Sequence, residues 1–136
     1  MVDATASGRL FHVVGEDIRT LGWSNGAGAY EIFEVTGPQG SGPPSHTHPW
    51  NEAYYVLSGK LEILSGDAWS TYDPGSFIYI PARTIHAYRI ASETARFLTI
   101  TDPPGAGRFF EDLNGRTDIN EIVATAMRHD LTVHMP

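Results

Sequence analysis

Two histidines and a glutamate stand close together in the segment 43–59, which reads PPSHTHPWNEAYYVLSG. His46 and His48 are two residues apart, and Glu52 follows four residues after the second histidine. In an extended chain, residues separated by an even number of positions point to the same face. His46, His48 and Glu52 can therefore share one face, provided that residues 49–51 do not reverse it.

Two imidazoles and a carboxylate form a set of nitrogen and oxygen donors. Such a set suits Fe, Mn, Ni, Cu or Zn as divalent ions better than calcium, and with open positions it matches the facial triad of non-haem iron sites. The chain has no cysteine, which excludes disulfides and thiolate sites. We therefore expect one divalent transition metal here, of unknown identity; the alternative is a polar turn that leads into a strand.

Further candidates lie at even spacing from this segment or later in the chain. His86 lies in the segment 81–90, PARTIHAYRI, and antiparallel pairing could bring it opposite the first cluster, although spacing alone does not prove this. Tyr54 and Tyr88 each follow a candidate ligand by two residues, so alternation points both into one cavity. Each tyrosine could instead satisfy its hydroxyl in the core. Trp50 would shape the cavity entrance or cap the fold.

Composition and charge narrow the class of protein. The chain has 136 residues, of which 41% are hydrophobic, and this fits one globular domain. The formal net charge is −7 without a cluster of basic residues, so we expect no nucleic-acid partner. No apolar run approaches the roughly 20 residues that cross a membrane. The first 20 residues lack the pattern of a signal peptide, and we expect a cytoplasmic protein without membrane contact.

The middle of the chain reads as short strands separated by glycine- and proline-rich turns. Strands this short, with turns every 8–12 residues or so, predict an all-β sandwich or barrel. An additional strand segment is assigned to residues 8–22. The predicted strands are residues 29–36, 52–57, 60–64, 68–72, 77–80, 87–90 and 95–101.

The C-terminal segment, residues 105–130, changes to helical spacing. Asp118 with Glu121 resembles a capping box, and a shorter helix near Gly107 is ended by Asn114 and Gly115. We expect both helices to pack outside the β-core and interpret their apolar stripe as packing. The stripe predicted for the longer helix is Ile119, Ile122, Val123, Ala126 and Met127.

These motifs resemble the cupin superfamily. The first cupin motif, G(x5)HxH(x3,4)E(x6)G, is matched by Gly40, His46, His48, Glu52 and Gly59. The second, G(x5)PxG(x2)H(x3)N, is matched by Gly75, Pro81 and His86, whereas Arg83 replaces a glycine and Ile90 replaces the asparagine. The resemblance covers about residues 27–101. It implies a double-stranded β-helix, or jelly-roll barrel, that holds one metal through His46, His48, Glu52 and His86.

A narrower resemblance is to single-domain quercetin-dioxygenase-like cupins, which often carry a segment like DPPGAGRFFEDL after the barrel. It implies a dioxygenase acting on a small aromatic or enol-bearing substrate. In this interpretation Glu52 stays a ligand or acts as base, and Trp50, Tyr54 and Tyr88 form the substrate pocket.

Two alternatives remain open. Cupin polyketide cyclases look similar over the same span, so a non-redox cyclase or isomerase is the second possibility, which zinc would favour. A non-catalytic small-molecule binding module is the third. A regulator of the cupin type is disfavoured, because the sequence predicts no DNA-binding segment beside the barrel.

Three histidines lie outside both motifs. His12, His129 and His134 are interpreted as ordinary surface or core histidines.

We expect a homodimer, since pairing of subunits covers edge strands that otherwise invite aggregation. The segment before Gly22 is the expected contributor, because it carries Leu10, Phe11, Val13 and Val14.

Overall fold

The computed structural model describes residues 8–21 and 30–134. Three predicted bounds lie outside these residues: the start of the barrel at residue 27, the first residue of the strand predicted at 29–36, and the end of the N-terminal segment at residue 22. The described elements in chain order are β1 (Leu10–Val13), β2 (Glu16–Thr20), β3 (Glu31–Pro38), β4 (Ser45–Thr47), β5 (Asn51–Ser58), β6 (Leu61–Ser65), β7 (Ala68–Tyr72), β8 (Phe77–Ile80), β9 (His86–Ile90), β10 (Thr94–Asp102), α1 (Ala106–Leu113), α2 (Ile119–Arg128) and β11 (Thr132–His134).

The strands form two antiparallel sheets, which confirms the predicted all-β class. The six-stranded sheet has the order β1-β2-β3-β10-β5-β8, and the five-stranded sheet has the order β11-β4-β9-β6-β7. Each of the seven strands predicted in the middle of the chain overlaps an observed strand. The sequence did not predict β4 and β11, because three residues are too few to show alternation.

Alternation along the strands builds the core between the two sheets. In β3 every second residue from Glu31 to Gly37 is buried. Phe33 on β3, Phe97 on β10, Val56 on β5 and Leu61 on β6 are fully buried. Both sheets therefore contribute their inner faces to one core, and any polar residue at an inward position must find its partners there.

The two helices begin at defined caps. The Glu31 carboxylate accepts hydrogen bonds from the backbone N–H groups of Gly105 and Gly107, both at 3.1 Å, and so holds the start of α1. Asp118 caps α2 by accepting from the N–H of Asn120 at 2.8 Å. Glu121 lies 3.7 Å from the Arg116 guanidinium. No helix in the described ranges is long and apolar enough to cross a membrane.

The apolar stripe of α2 is not simply core packing, as the sequence had suggested. Met127 is 67% exposed and does not belong to the packed face. Ile119, Ile122, Val123 and Ala126 instead line a cavity that they share with α1 and the barrel strands. The helices lie outside the sheets, as expected, and they also form a wall of the cavity.

Two turns show why particular residues are needed. Gly59 has a φ of +78°, and a Cβ at this position would lie 2.3 Å from the carbonyl oxygen of Thr94. Arg83 has a φ of +65°, the left-handed conformation that favours glycine. The arginine thus adopts the backbone shape of the glycine that it replaces in the motif. Its N–H donates to the carbonyl of His48 at 2.9 Å.

Candidate metal centre

Strands from both sheets bring the candidate ligands together. His46 on β4 is the direct cross-strand partner of His86 on β9, so antiparallel pairing does place the two histidines opposite each other. His48 follows directly after β4 in the five-stranded sheet, whereas Glu52 lies on β5 in the six-stranded sheet. His46 and Glu52 therefore do not lie on one extended strand, which was the condition for a shared strand face. The chain crosses between the sheets at residues 48–50, and Glu52 faces the histidines from the opposite side.

The four side chains form a compact buried cluster. The nearest ligand atoms of His46, His48 and His86 all lie within 4.8 Å of one another. The Oε1 atom of Glu52 is 3.5 Å from Nε2 of His48 and 3.4 Å from Nε2 of His86. All four residues are at most 8% exposed. A metal bound by the three imidazoles would therefore have the Glu52 carboxylate beside it.

Backbone carbonyls orient each imidazole. The Nδ1 atoms of His46, His48 and His86 lie 2.8 Å from the carbonyl oxygens of Pro44, Trp50 and Thr84, respectively. A neutral imidazole that donates from Nδ1 keeps its Nε2 lone pair free. The Nε2 atoms of His48 and His86 are buried and have no hydrogen-bond partner. Oriented imidazoles with free inward nitrogens are what a transition-metal site requires, so these residues fit such an ion.

The charges within the cluster are strongly coupled. Burial opposes ionisation of Glu52, but its attraction to the nearby rings of His48 and His86 outweighs burial and holds the pKa of Glu52 well below its usual range. Burial, reinforced by the charge of His86, lowers the pKa of His46 to about 4. For His86, burial is outweighed by the interactions with Glu52, and its pKa is raised. Glu52 is therefore a carboxylate and His46 a neutral imidazole at neutral pH, the forms in which each could bind a metal.

The three predicted pocket residues lie in the cavity wall, and each has a specific contact. The Tyr54 hydroxyl donates to Oε1 of Glu52. The Tyr88 hydroxyl donates to Oε1 of Glu16 at 2.5 Å. Burial, followed by the charge of the neighbouring carboxylate, raises the pKa of both tyrosines well above the usual value, so both remain donors. Trp50 stacks on His48 with ring centroids 4.7 Å apart and an angle of 14°.

The cavity has a volume of about 180 Å³. Sequence reasoning missed Glu16 and Thr99 in its wall, and it had assigned the helical residues to packing. Glu16 is buried at an inward position of β2 with Ile18 and Thr20, and the alternation of EDIRT was the available signal. The main apolar contributors are Ile18, Val35, Phe109, Phe110, Leu113, Ile119, Ile122, Val123 and Leu131.

The remaining histidines lie outside the cluster. His12 is exposed, with Nδ1 2.7 Å from the Asp17 carboxylate. His129 lies 3.1 Å from the Asp112 carboxylate, and His134 is exposed on β11.

A family model described as a cupin domain matches residues 33–101. The chain belongs to the cupin family. The solved structure of an RmlC-like cupin from Shewanella frigidimarina aligns with a TM-score of 0.63 over 71% of this chain and 84% of that one. The two sequences are only 13% identical, so this likeness shows the fold alone.

Two similar proteins have named activities. Quercetin 2,3-dioxygenase from Bacillus subtilis is 28% identical over 90 residues, which are 65% of this cupin but only 27% of the dioxygenase. The structure of the DMSP lyase DddQ from Ruegeria pomeroyi is 26% identical and aligns with a TM-score of 0.56 over 63% of this cupin and 46% of the lyase. This cupin thus spans about a quarter of one protein and about half of the other.

The departures from the second cupin motif leave the cluster intact. Arg83 keeps the turn through its positive φ, as described above. Ile90 is 1% exposed and packs in the core, while its backbone N–H donates to Ser41 and its carbonyl accepts from Gly40. Neither residue belongs to the histidine cluster.

Proposed function

We propose that this cupin is a metal-dependent dioxygenase that acts on a small aromatic or enol-bearing compound. The observation that carries the proposal is the cluster of three buried imidazoles, two of which have inward Nε2 atoms without a partner, at the wall of a ligand-sized cavity. The similarity to a quercetin dioxygenase supports the oxidative class.

The protein residues have distinct parts in this proposal. His46, His48, His86 and Glu52 would hold one divalent Fe, Mn, Ni, Cu or Zn ion, and a redox-active ion supplies Lewis acidity and electron transfer to dioxygen. Because Glu52 is ionised, it offers an acceptor for the acidic hydrogen of a substrate enol or phenol. Tyr54 donates to the same carboxylate and orients it.

The cavity limits the size of the substrate. An apolar cavity of about 150 Å³ accepts benzene, so the 180 Å³ found here suits a molecule with one aromatic ring. Trp50, Phe109 and Phe110 offer ring faces and edges in its wall. The helices α1 and α2 cover the cavity and would keep water from the reacting groups.

A non-redox lyase, cyclase or isomerase is the second candidate. The likeness to the DMSP lyase supports it, and so does the Glu52–Tyr54 pair, which places a carboxylate and a hydroxyl donor together. Such an enzyme would use zinc or another ion only to polarise a carbonyl.

Metal analysis of the purified protein is the first test. We expect about one transition-metal ion per chain in the wild type and its loss in His86→Ala, because three imidazoles form the core of the cluster. His12→Ala is the matched control, since that histidine is exposed and distant from the motifs. Full metal content in His86→Ala would exclude His86 from the site.

Oxygen uptake then separates the two candidates. Protein loaded separately with Fe, Mn, Ni, Cu or Zn is incubated with single-ring phenols and enols. Substrate-dependent oxygen consumption with a redox-active metal, but not with zinc, is the expected result. Turnover without oxygen consumption would favour the lyase or isomerase class, and ligand binding without turnover would favour a binding module.

A further inference from the structure

Glu16 is a second carboxyl group in the wall of the cavity. It begins β2 and is only 6% exposed. Among the described residues that line the cavity, Glu52 is the other carboxyl, and it lies beside the histidine cluster. Glu16 lies beside Tyr88, whose ring is 5.7 Å from that of Tyr54. The cavity therefore has a Tyr54–Glu52 pair and a Tyr88–Glu16 pair.

Glu16 retains capacity to accept further hydrogen bonds. Its Oε1 accepts from the Tyr88 hydroxyl at 2.5 Å, and its Oε2 accepts from the Ser41 hydroxyl at 3.1 Å. No basic side chain within the described ranges forms an ion pair with it. A carboxylate offers about four acceptor positions, so two remain for a ligand.

Stability alone does not account for this carboxyl. A buried carboxylate without a cation is costly, and an apolar side chain of similar size would avoid that cost. Consistent with this, burial raises the pKa of Glu16 to about 6, although the hydrogen bonds from Tyr88 and Ser41 oppose the shift. The surrounding wall is mainly apolar. A single polar group in such a wall favours ligands that can form a hydrogen bond to it.

Tyr88 on strand β9 lies between Glu16 and the histidine cluster. His86 and Tyr88 are two residues apart and share a strand face, which places them about 6.6 Å apart along the strand. Tyr88 is packed edge-on against Phe97, with ring centroids 5.2 Å apart, so its position is well defined. A ligand with one end at the histidines can therefore extend along Tyr88 towards Glu16.

We propose that Glu16, held by Tyr88 and Ser41, binds a hydrogen-bond donor at the end of the ligand remote from the histidines. The donor is a hydroxyl or an ammonium group, since either can bond to a carboxylate. This inference rests on the proposed function in so far as the cavity receives a small substrate; it requires no particular reaction.

Three single-ring probes test the proposal: toluene without a donor, phenol with a hydroxyl and benzylamine with an ammonium group. Their affinities are measured by calorimetry for the wild type, Glu16→Gln and the control Glu93→Gln, whose glutamate is exposed. We expect phenol or benzylamine to bind the wild type about tenfold more tightly than toluene. That preference should largely disappear in Glu16→Gln and persist in Glu93→Gln.

Tyr88→Phe provides a second test, because it frees an acceptor position on Glu16 and should retain the preference for a donor. Equal affinities for the three probes in the wild type, including no measurable binding, would overturn the proposal. So would an unchanged preference in Glu16→Gln, or its loss in Tyr88→Phe alone. Metal content is measured in every variant and should not change, so failure of the metal or oxygen tests leaves this result interpretable.

Discussion

Each histidine of the cluster is fixed from behind by a backbone carbonyl two residues away. Pro44 and Thr84 precede their histidines, and Trp50 follows its own. The Glu52 carboxylate is fixed in the same way by the Tyr54 hydroxyl. Such outer partners orient metal ligands and raise their affinity. The properties of the site therefore depend on residues that would not touch the metal.

Tyr54→Phe should weaken metal binding while the fold persists. The phenyl ring keeps its packing against Phe97, but Glu52 loses the hydroxyl that orients it. Loss of an outer partner typically costs 10- to 100-fold, so we expect a decrease of about that size in a chelator competition assay. Tyr55→Phe is the matched control, because that residue follows on the same strand and is exposed. Unchanged affinity in Tyr54→Phe would show that the hydroxyl has no part in the site.

Glu16→Gln should stabilise the protein above neutral pH. The pKa of Glu16 rises from 4.5 to about 6 on folding, so the native state binds the proton more tightly than the unfolded chain. Ionisation of this carboxyl therefore costs stability as the pH rises from 4.5 through 6. The full cost is about 2 kcal/mol above pH 7. Urea unfolding at pH 5 and pH 8 measures it, and an equal effect of the substitution at both values would contradict the shift.

The cavity depends on how a few elements are anchored. Glu31 on β3 fixes the start of α1 through two backbone N–H groups, and α1 and α2 then cover the histidine cluster. The hairpin of β1 and β2 adds Glu16 and Ile18 to the wall. The N-terminal hairpin and the C-terminal helices are therefore parts of the site as well as of the scaffold.

The turn of this hairpin holds a valine in a strained backbone conformation. Val14 and Gly15 connect β1 to β2 with φ values of +46° and +86°. A β-branched residue is poorly suited to that conformation, whereas Asn-Gly is preferred in two-residue turns of this kind. Val14→Asn should raise the free energy of unfolding by about 1 kcal/mol. Thermal melting checks this against Val14→Ile, which keeps the branch and should bring no gain; destabilisation by Val14→Asn would refute the prediction.

The surface of the molecule changes the expectation about its assembly. Of the four residues assigned to a dimer contact, Phe11 and Val13 are buried within the chain itself, whereas Leu10 and Val14 are exposed. An aromatic patch lies instead at the opposite edge of the six-stranded sheet. It consists of Tyr55, Phe77 and Tyr79 on the neighbouring strands β5 and β8, with Phe77 61% exposed. Exposed apolar patches on an edge strand favour association.

A homodimer remains our prediction, now with the aromatic patch as its contact. Light scattering should give about twice the 14.9 kDa of the chain. Tyr79→Lys should shift the equilibrium towards the monomer, because a charged lysine blocks edge-strand association. Leu10→Lys on β1 should not. A monomeric wild type excludes the dimer, and dissociation by Leu10→Lys alone would return the contact to the N-terminal segment.

Local patterns were sufficient for much of the fold and for the donor set. Short strand-forming runs between glycine-containing turns located β6, β7 and β8 almost to the residue, since these signals depend on neighbours in the sequence. The helix cap at Asp118 was equally local. The spacing of His46, His48, Glu52 and His86 was also visible in the sequence, because each cupin motif spans only a short segment of the chain.

Long-range packing decided the rest. Glu52 belongs to the six-stranded sheet because the chain crosses from one sheet to the other at residues 48–50. No local sequence pattern predicts this crossing. Glu16 and Tyr88 are 72 positions apart and meet only because β2 and β9 belong to facing sheets. The apolar stripe of α2 could pack on a core or line a cavity with the same periodicity. Its role depends on the shape of the space beneath it, which is set by all the elements together.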